Sequence, residues 1–235
     1  MHPAPNRTLA VLAVASLGLL GLAACSSEPD AAPETSKVSA SPSEAESSPA
    51  ESSSAEAATG QPDWANKVTT GGKLISTIKA GGISVEVFQG DVTAATKTGQ
   101  FVDPKTNKPI ISVGDDITFV NYVVTNNGDS IDLGSSLVDV SARYDDWPYL
   151  QGMDSVVDDD LFAKQGVNAD AFTPDAYRDP SVYPFAPAEQ YSYGTNFRYQ
   201  AKSPITFTVT VTPVDAKGDL LHDDRVEAEG TGTIG

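Results

Sequence analysis

Cysteine is nearly absent from this chain. Of 235 residues only Cys25 is a cysteine, which excludes an internal disulfide framework and any cysteine-rich zinc site. Histidine is almost as scarce, with His2 near the start and His222 near the end. Most nucleophilic triads therefore lack parts. Basic residues number 15 against 32 acids, a formal net charge of −17. Phosphates of nucleic acid and anionic lipid headgroups repel such a chain, so no nucleic-acid partner is expected. No Gly-x-Ser-x-Gly elbow, phosphate-binding glycine loop or His-Glu-x-x-His helix occurs. The chain is read as not an enzyme. Paired carboxylates acting as acid and base in a hydrolase are the remaining catalytic chemistry, and a count of acids does not set their separation.

Long hydrophobic runs are also missing, apart from Leu9 to Ala24 behind His2 and Arg7. That run is too short to span a bilayer as a mature helix and suits the apolar core of a secretory signal. It ends in Leu22-Ala23-Ala24-Cys25, which resembles the lipobox of bacterial lipoproteins. The resemblance implies a signal peptide over 1–24, acylation of Cys25 and a lipid anchor on the extracytoplasmic face of the cell membrane. One acyl chain binds membranes only marginally, so the implied diacylation meets a physical need. It would also consume the only thiol.

Residues 26–62 hold 11 serines, seven acids and Lys37, with no aromatic and Val38 as the only large aliphatic. Such a segment cannot bury enough surface to offset its ordering entropy and is expected to be a disordered tether. As a flexible coil it would reach roughly 30–40 Å, more with charge repulsion.

From Asp63 onward the pattern acquires period two. Ile205, Phe207, Val209 and Val211 alternate with four threonines, the mark of a strand with one buried and one wet face. Tyr191, Tyr193, Phe197 and Tyr199 form a second alternating set; Val138, Val140, Ala142 and Tyr144 form a third. Ile117 to Thr125 is apolar on both faces and reads as a central strand, in which Asn121 needs a hydrogen-bond partner. Leu74–Ile78, Ile83–Phe88 and Val226–Ile234 complete seven to eight strands, separated by turn signals such as Gly81-Gly82 and Lys217-Gly218-Asp219.

Ser112-Val113-Gly114-Asp115-Asp116-Ile117-Thr118-Phe119, running on to Thr125-Asn126-Asn127-Gly128-Asp129, resembles the shared half of secreted bacterial immunoglobulin-like domains. There a Gly-Asp turn starts a long strand that ends in an Asn-rich turn. The nearest resemblance is to telokin-like lipoproteins and secreted antigens of actinobacteria, over about residues 82–214. It implies an all-β, immunoglobulin-like β-sandwich over 63–235, exported to the cell surface, and it implies no catalytic residues.

Residues 145–190 depart from that plan as a long, partly helical insertion. They carry seven of the 18 aromatics, five prolines, and ten acids against Lys164 and Arg178. Connections of this length are uncommon and often functional. Ser155-Val156-Val157-Asp158 has the form of a capping box, Gly166 suits the helix end, and Thr173-Pro174-Asp175 is a second helix start. Asp154, Asp158, Asp159 and Asp160 read either as helix capping with a solvated face or as a calcium site, calcium being the only cofactor the composition suggests. Trp147, Tyr149, Tyr177 and Tyr183 read either as a satellite core or as a partly exposed ligand-binding face. Asp215, Asp219, His222, Asp223 and Asp224 read as a solvated turn.

Three functional classes follow. The first is a surface-anchored binding or interaction module for an envelope protein or wall polymer. The second is a structural, envelope-maintaining lipoprotein, and the third a carrier or sensor for calcium or another cation.

Overall fold

The computed structural model describes residues 60–235. The signal segment, Cys25 and the tether as far as residue 59 lie outside the described residues.

Eight strands form a sandwich of two antiparallel four-stranded sheets. They are β1 (Lys73–Ala80), β2 (Ile83–Ala94), β3 (Asp116–Asn126), β4 (Ile131–Tyr144), β5 (Tyr183–Phe185), β6 (Gln190–Arg198), β7 (Pro204–Pro213) and β8 (Val226–Thr233). One helix, α1 (Asp159–Gln165), lies between β4 and β5. The sheets run β1-β2-β3-β6 and β5-β4-β7-β8. Taking β2, β3, β4, β6, β7 and β8 as strands A, B, C, E, F and G reproduces the immunoglobulin pairing of A-B-E against C-F-G. β1 is added outside β2, and β5 flanks β4.

The alternating positions meet between the sheets. Ile205, Phe207 and Val209 of β7 are fully buried, opposite Tyr122 and Val124 of β3. Tyr122 and Phe207 make an edge contact with ring centroids 6.3 Å apart. β4 carries an irregularity between Leu133 and Val138, with Leu137 at a φ of 50°. Two tyrosines of β6 repair the ladder there: the Val138 N–H donates to Tyr191 Oη at 3.0 Å, and Tyr193 Oη donates to the Val138 carbonyl at 2.8 Å. Buried backbone groups need partners, and these reach theirs across the core.

The opposite face of β3 and β6 is not wet. Residues 156–168 and Thr69 of the strap over residues 60–72 cover it. Phe162 of α1 packs edge-on against Phe119 at 5.0 Å. Asn196 receives the Val156 N–H at 2.8 Å and donates to the Val156 carbonyl at 2.9 Å. Asn121, the buried amide of the central strand, donates to the carbonyl of Thr69 in the strap. At Gly194 a Cβ would collide with the Val120 carbonyl and the Val167 side chain, so only glycine admits the cover this closely.

Three boundaries differ from the sequence reading. The fold includes Gly60, three residues before Asp63, since Gly60 bridges to Glu189. Tyr183–Phe185 is a sheet strand rather than part of an insertion, because it pairs with Ile131–Leu133 at the start of β4. The cap of α1 is Asp158, not Ser155. Its carboxylate accepts the Leu161 N–H at 3.4 Å, and Gly166 closes the helix at a φ of 64°. Thr173-Pro174-Asp175 makes one turn and no helix, with the Ala176 N–H on the Thr173 carbonyl at 3.0 Å.

Candidate functional site

The four predicted ligand-binding aromatics do not share a face. Trp147 follows the end of β4, its N–H bonded to the Tyr144 carbonyl, whereas Tyr183 pairs with Leu133 near the start of that strand. At about 3.3 Å per residue the two lie roughly 30 Å or more apart. Trp147 and Tyr183 are buried, Tyr149 is half-buried and only Tyr177 is well exposed. The reason is local. Indole and phenol rings next to a sheet gain more by packing than by facing water, and these do so as two separate satellites.

The first satellite is at the β4 end. Trp147 and Tyr149 meet edge-on at 5.1 Å, and the indole N–H donates to the Gln151 carbonyl at 3.1 Å. Arg143 of β4 donates to the carbonyls of Trp147, Tyr149 and Gln151, gathering the loop around one guanidinium. Tyr149 Oη donates to Asp103 Oδ2 at 2.8 Å, which ties this loop to a hairpin-like excursion between β2 and β3. That excursion is held by Gly99 N–H on Ile111 O and Ile110 N–H on Phe101 O, and the Asp103 carboxylate also accepts the N–H groups of Lys105 and Thr106. These bonds, the one from Tyr149 first, hold the Asp103 carboxyl below the usual carboxylate range and push the Tyr149 phenol up.

The second satellite surrounds Trp64, a residue with no assigned role in the sequence reading. Its ring is fully buried among Phe172, Tyr183, Phe185 and Tyr191, with centroids 5.2–6.4 Å away, and its N–H donates to the Pro184 carbonyl at 2.9 Å. Arg178 lies 5.7 Å above the Tyr183 ring and pairs with Asp63 at 2.6 Å. The available signal was position: Trp64 is the first aromatic after a stretch that has none.

The four predicted metal-ligating aspartates are likewise not gathered into one oxygen shell. Asp154 is buried, and its Oδ1 accepts N–H groups from Gln100 at 2.7 Å, Phe101 at 3.1 Å and its own neighbour Ser155 at 2.9 Å. Its Oδ2 is pressed against Gly99, where a Cβ would overlap it. Asp158 accepts from the Thr96 hydroxyl and caps α1, with Lys97 at 3.7 Å. The Thr96 bond is the main cause holding its carboxyl below the usual range. Asp159 and Asp160 face solvent in the first helical turn, where the helix dipole favours them. Among the described residues, no group of three His, Cys, Asp or Glu side chains is placed to hold a metal ion. His222, Asp223 and Asp224 form an exposed single turn, and Asp215 accepts the N–H groups of Lys217 and Asp219.

Two acids, Asp154 and Asp158, thus bind backbone and hydroxyl donors and stitch residues 96–101 to residues 154–161. Next to this stitching are two loop apices that expose the Phe101, Val102 and Leu150 side chains. No protein-family model, no curated protein and no solved structure matches this chain.

Proposed function

We propose that this chain is an extracytoplasmic lipoprotein, anchored through Cys25 and spaced from the membrane by its serine-rich segment, whose sandwich is a non-catalytic interaction module at the cell envelope. The observation that carries the reading is how residues 60–64 are fixed to the sandwich. Gly60 bridges to Glu189 at the end of the sandwich that holds the last residues of β3, and Trp64 is locked into the core four residues later. A tether attached there would load a fixed point of the fold and leave the opposite end facing outward. The cation-carrier reading has less support, because both oxygens of Asp158 and Oδ1 of Asp154 accept protein donors. The remaining Asp154 Oδ2 is buried, with no group of three metal-ligating side chains gathered beside it among the described residues.

The anchoring half is tested by fatty-acid labelling of wild type and Cys25→Ser. Wild type should take up label and partition with membranes, and the variant should do neither. A Cys25→Ser chain that is still acylated refutes the anchor. The module half is tested by recovery of envelope partners on the full chain, with and without calcium; recovery that needs calcium would favour the cation reading instead.

A further inference from the structure

The β-sandwich has two chemically different ends. At one, the chain enters through Gly60, beside the carboxy-terminal end of β3, where the Glu189 carbonyl accepts the Asn126 N–H. The other holds the start of β3, the end of β4 and the loops beyond them, and β3 spans 11 residues from Asp116 to Asn126. That places the two ends roughly 35 Å apart.

The far end presents aliphatic side chains on a rigid frame. Leu150 is fully exposed, and Val102 and Phe101 are exposed on the neighbouring hairpin. A lone exposed leucine means little. Here, however, the backbone on both sides of Leu150 is pinned by Arg143 through the carbonyls of Tyr149 and Gln151. The two apices are also joined by the Tyr149–Asp103 bond, and the hairpin is held by Asp154 through the N–H groups of Gln100 and Phe101. The cost of ordering these loops is met inside the fold, which is the condition under which an exposed apolar group contributes most to binding. Lys105 and Lys108 follow Asp103 and are exposed, so the hairpin tip carries two cations against one acid, although Asp145 and Asp146 are exposed on the neighbouring loop.

We infer that this tip, Leu150 with Phe101 and Val102 between Lys105 and Lys108, is the contact surface for an envelope protein that offers an apolar pocket bordered by carboxylates. The inference rests on the interaction-module reading and names the surface and partner class for it. Leu150 and Val102 are aliphatic knobs that suit a protein pocket. Sugars stack on aromatic planes, and of the aromatics here Trp147 and Tyr149 lie packed beneath the loop while Phe101 alone is exposed. A lipid surface is disfavoured on two grounds: the chain enters at the opposite end, and its net charge of −17 is repelled by anionic headgroups. The lysines match carboxylates and set orientation and association rate.

The test is photo-crosslinking in the full-length chain at its own location, with benzoylphenylalanine in place of Val102 at the tip and, separately, of Tyr177, which is exposed on the other satellite. The tip position should give a discrete protein adduct whose contact site is apolar and acidic. Its yield should fall by at least about tenfold in Leu150→Asp and in the Lys105→Glu/Lys108→Glu pair, equivalent to 1.4 kcal/mol of binding. The melting temperature should stay unchanged in both variants. Adducts that are phospholipid, glycan or a second copy of this chain overturn the proposal, as does a protein adduct indifferent to these substitutions. A protein adduct from position 177 alone removes this surface and keeps the interaction-module reading. No protein adduct from either position removes both.

Discussion

Replacing Trp64 by alanine tests whether the amino-terminal strap belongs to the cooperative core. The ring is fully buried among four other aromatics, and its N–H is bonded to the Pro184 carbonyl at 2.9 Å. A buried tryptophan removes roughly 200 Å² or more from water, worth about 5 kcal/mol at 25 cal/mol per Å². Measured truncations of buried aromatic residues cost about 3–5 kcal/mol. The orphaned carbonyl adds about 1 kcal/mol if water cannot reach it. For a domain of this size each kcal/mol lowers Tm by about 2–4 °C, so Trp64→Ala should melt roughly 6–20 °C below wild type. Trp64→Phe keeps much of the apolar contact and loses the hydrogen bond, so it should fall between the two. The assay is thermal unfolding by circular dichroism, with urea unfolding as a check on the m value. If Trp64→Ala melts within about 2 °C of wild type, the strap is an appendage on a finished sandwich and the reasoning about a locked attachment point is wrong.

Gly99→Ala places a Cβ on Asp154 Oδ2 and should cost about 1–3 kcal/mol. In urea unfolding, the Gly99→Ala/Asp154→Ala double variant should be less destabilised than the sum of its parts, and strict additivity would show that the two groups do not meet. Tyr193→Phe strips the donor from the buried Val138 carbonyl and should cost about 1–3 kcal/mol. Tyr122→Phe removes a buried hydroxyl that has no partner and should be neutral or stabilising; the reverse order in melting temperature would refute this assignment. Burial raises the phenols of Tyr122, Tyr144, Tyr191 and Tyr193. The unfolded chain ionises them first, so the stability from keeping them neutral is complete below about pH 10 and is lost as pH rises past it. Ultraviolet titration of the native protein should find these four silent until it unfolds. Because Asp154 and Asp158 bind protein donors, calcium and chelator should leave the melting curve where it is, and a calcium-dependent rise would reinstate a metal site.

The strands were legible because a sheet with one wet face writes period two into its sequence, as β7 does from Ile205 to Val211. Central β3 was legible for the opposite reason, being apolar at nearly every position from Ile117 to Val124. β5 was not, since three residues containing Pro184 carry no periodicity and owe their strand to pairing with β4. The cap of α1 was misplaced because Ser155 and Asp158 both suit a helix start. Tertiary contact decided between them: the Val156 backbone is held against β6 by the Asn196 side chain, so the chain does not turn helical until Asp158. The excursion at residues 95–111 carried only the turn signal Asp103-Pro104, with no periodicity around it. Its shape depends on Asp154 and Tyr149, some fifty residues away in the chain. The aromatic insertion was recognised as unusual, but composition could not say that its rings divide between two ends.

Those rings bear on where recognition can occur. In an antiparallel sandwich the outer face of a sheet is ordinarily wet, and here the outer face of β3 and β6 carries Asn121, Ser192 and Asn196 among the apolar Ile117, Phe119 and Val123. All three polar residues are nonetheless buried, because the strap and the insertion lie over them. A cover laid on apolar residues could slide at little cost. One laid on buried amides and hydroxyls must satisfy each of them, and it does so at fixed points. Thr69 meets Asn121 and Ser192, Asn168 meets Ser192, and Val156 meets Asn196. Displacing the cover by one residue would leave several polar groups unpaired at about 1–3 kcal/mol each. The sheet therefore specifies the register of the cover, which lays Phe162 on Phe119, while Trp147, Tyr149 and Tyr183 are taken up by the satellites at the two ends of β4. The apolar groups exposed at the loop apices opposite Gly60 are Phe101, Val102 and Leu150, and these rest on a frame held by Arg143, Asp154 and the Tyr149–Asp103 bond.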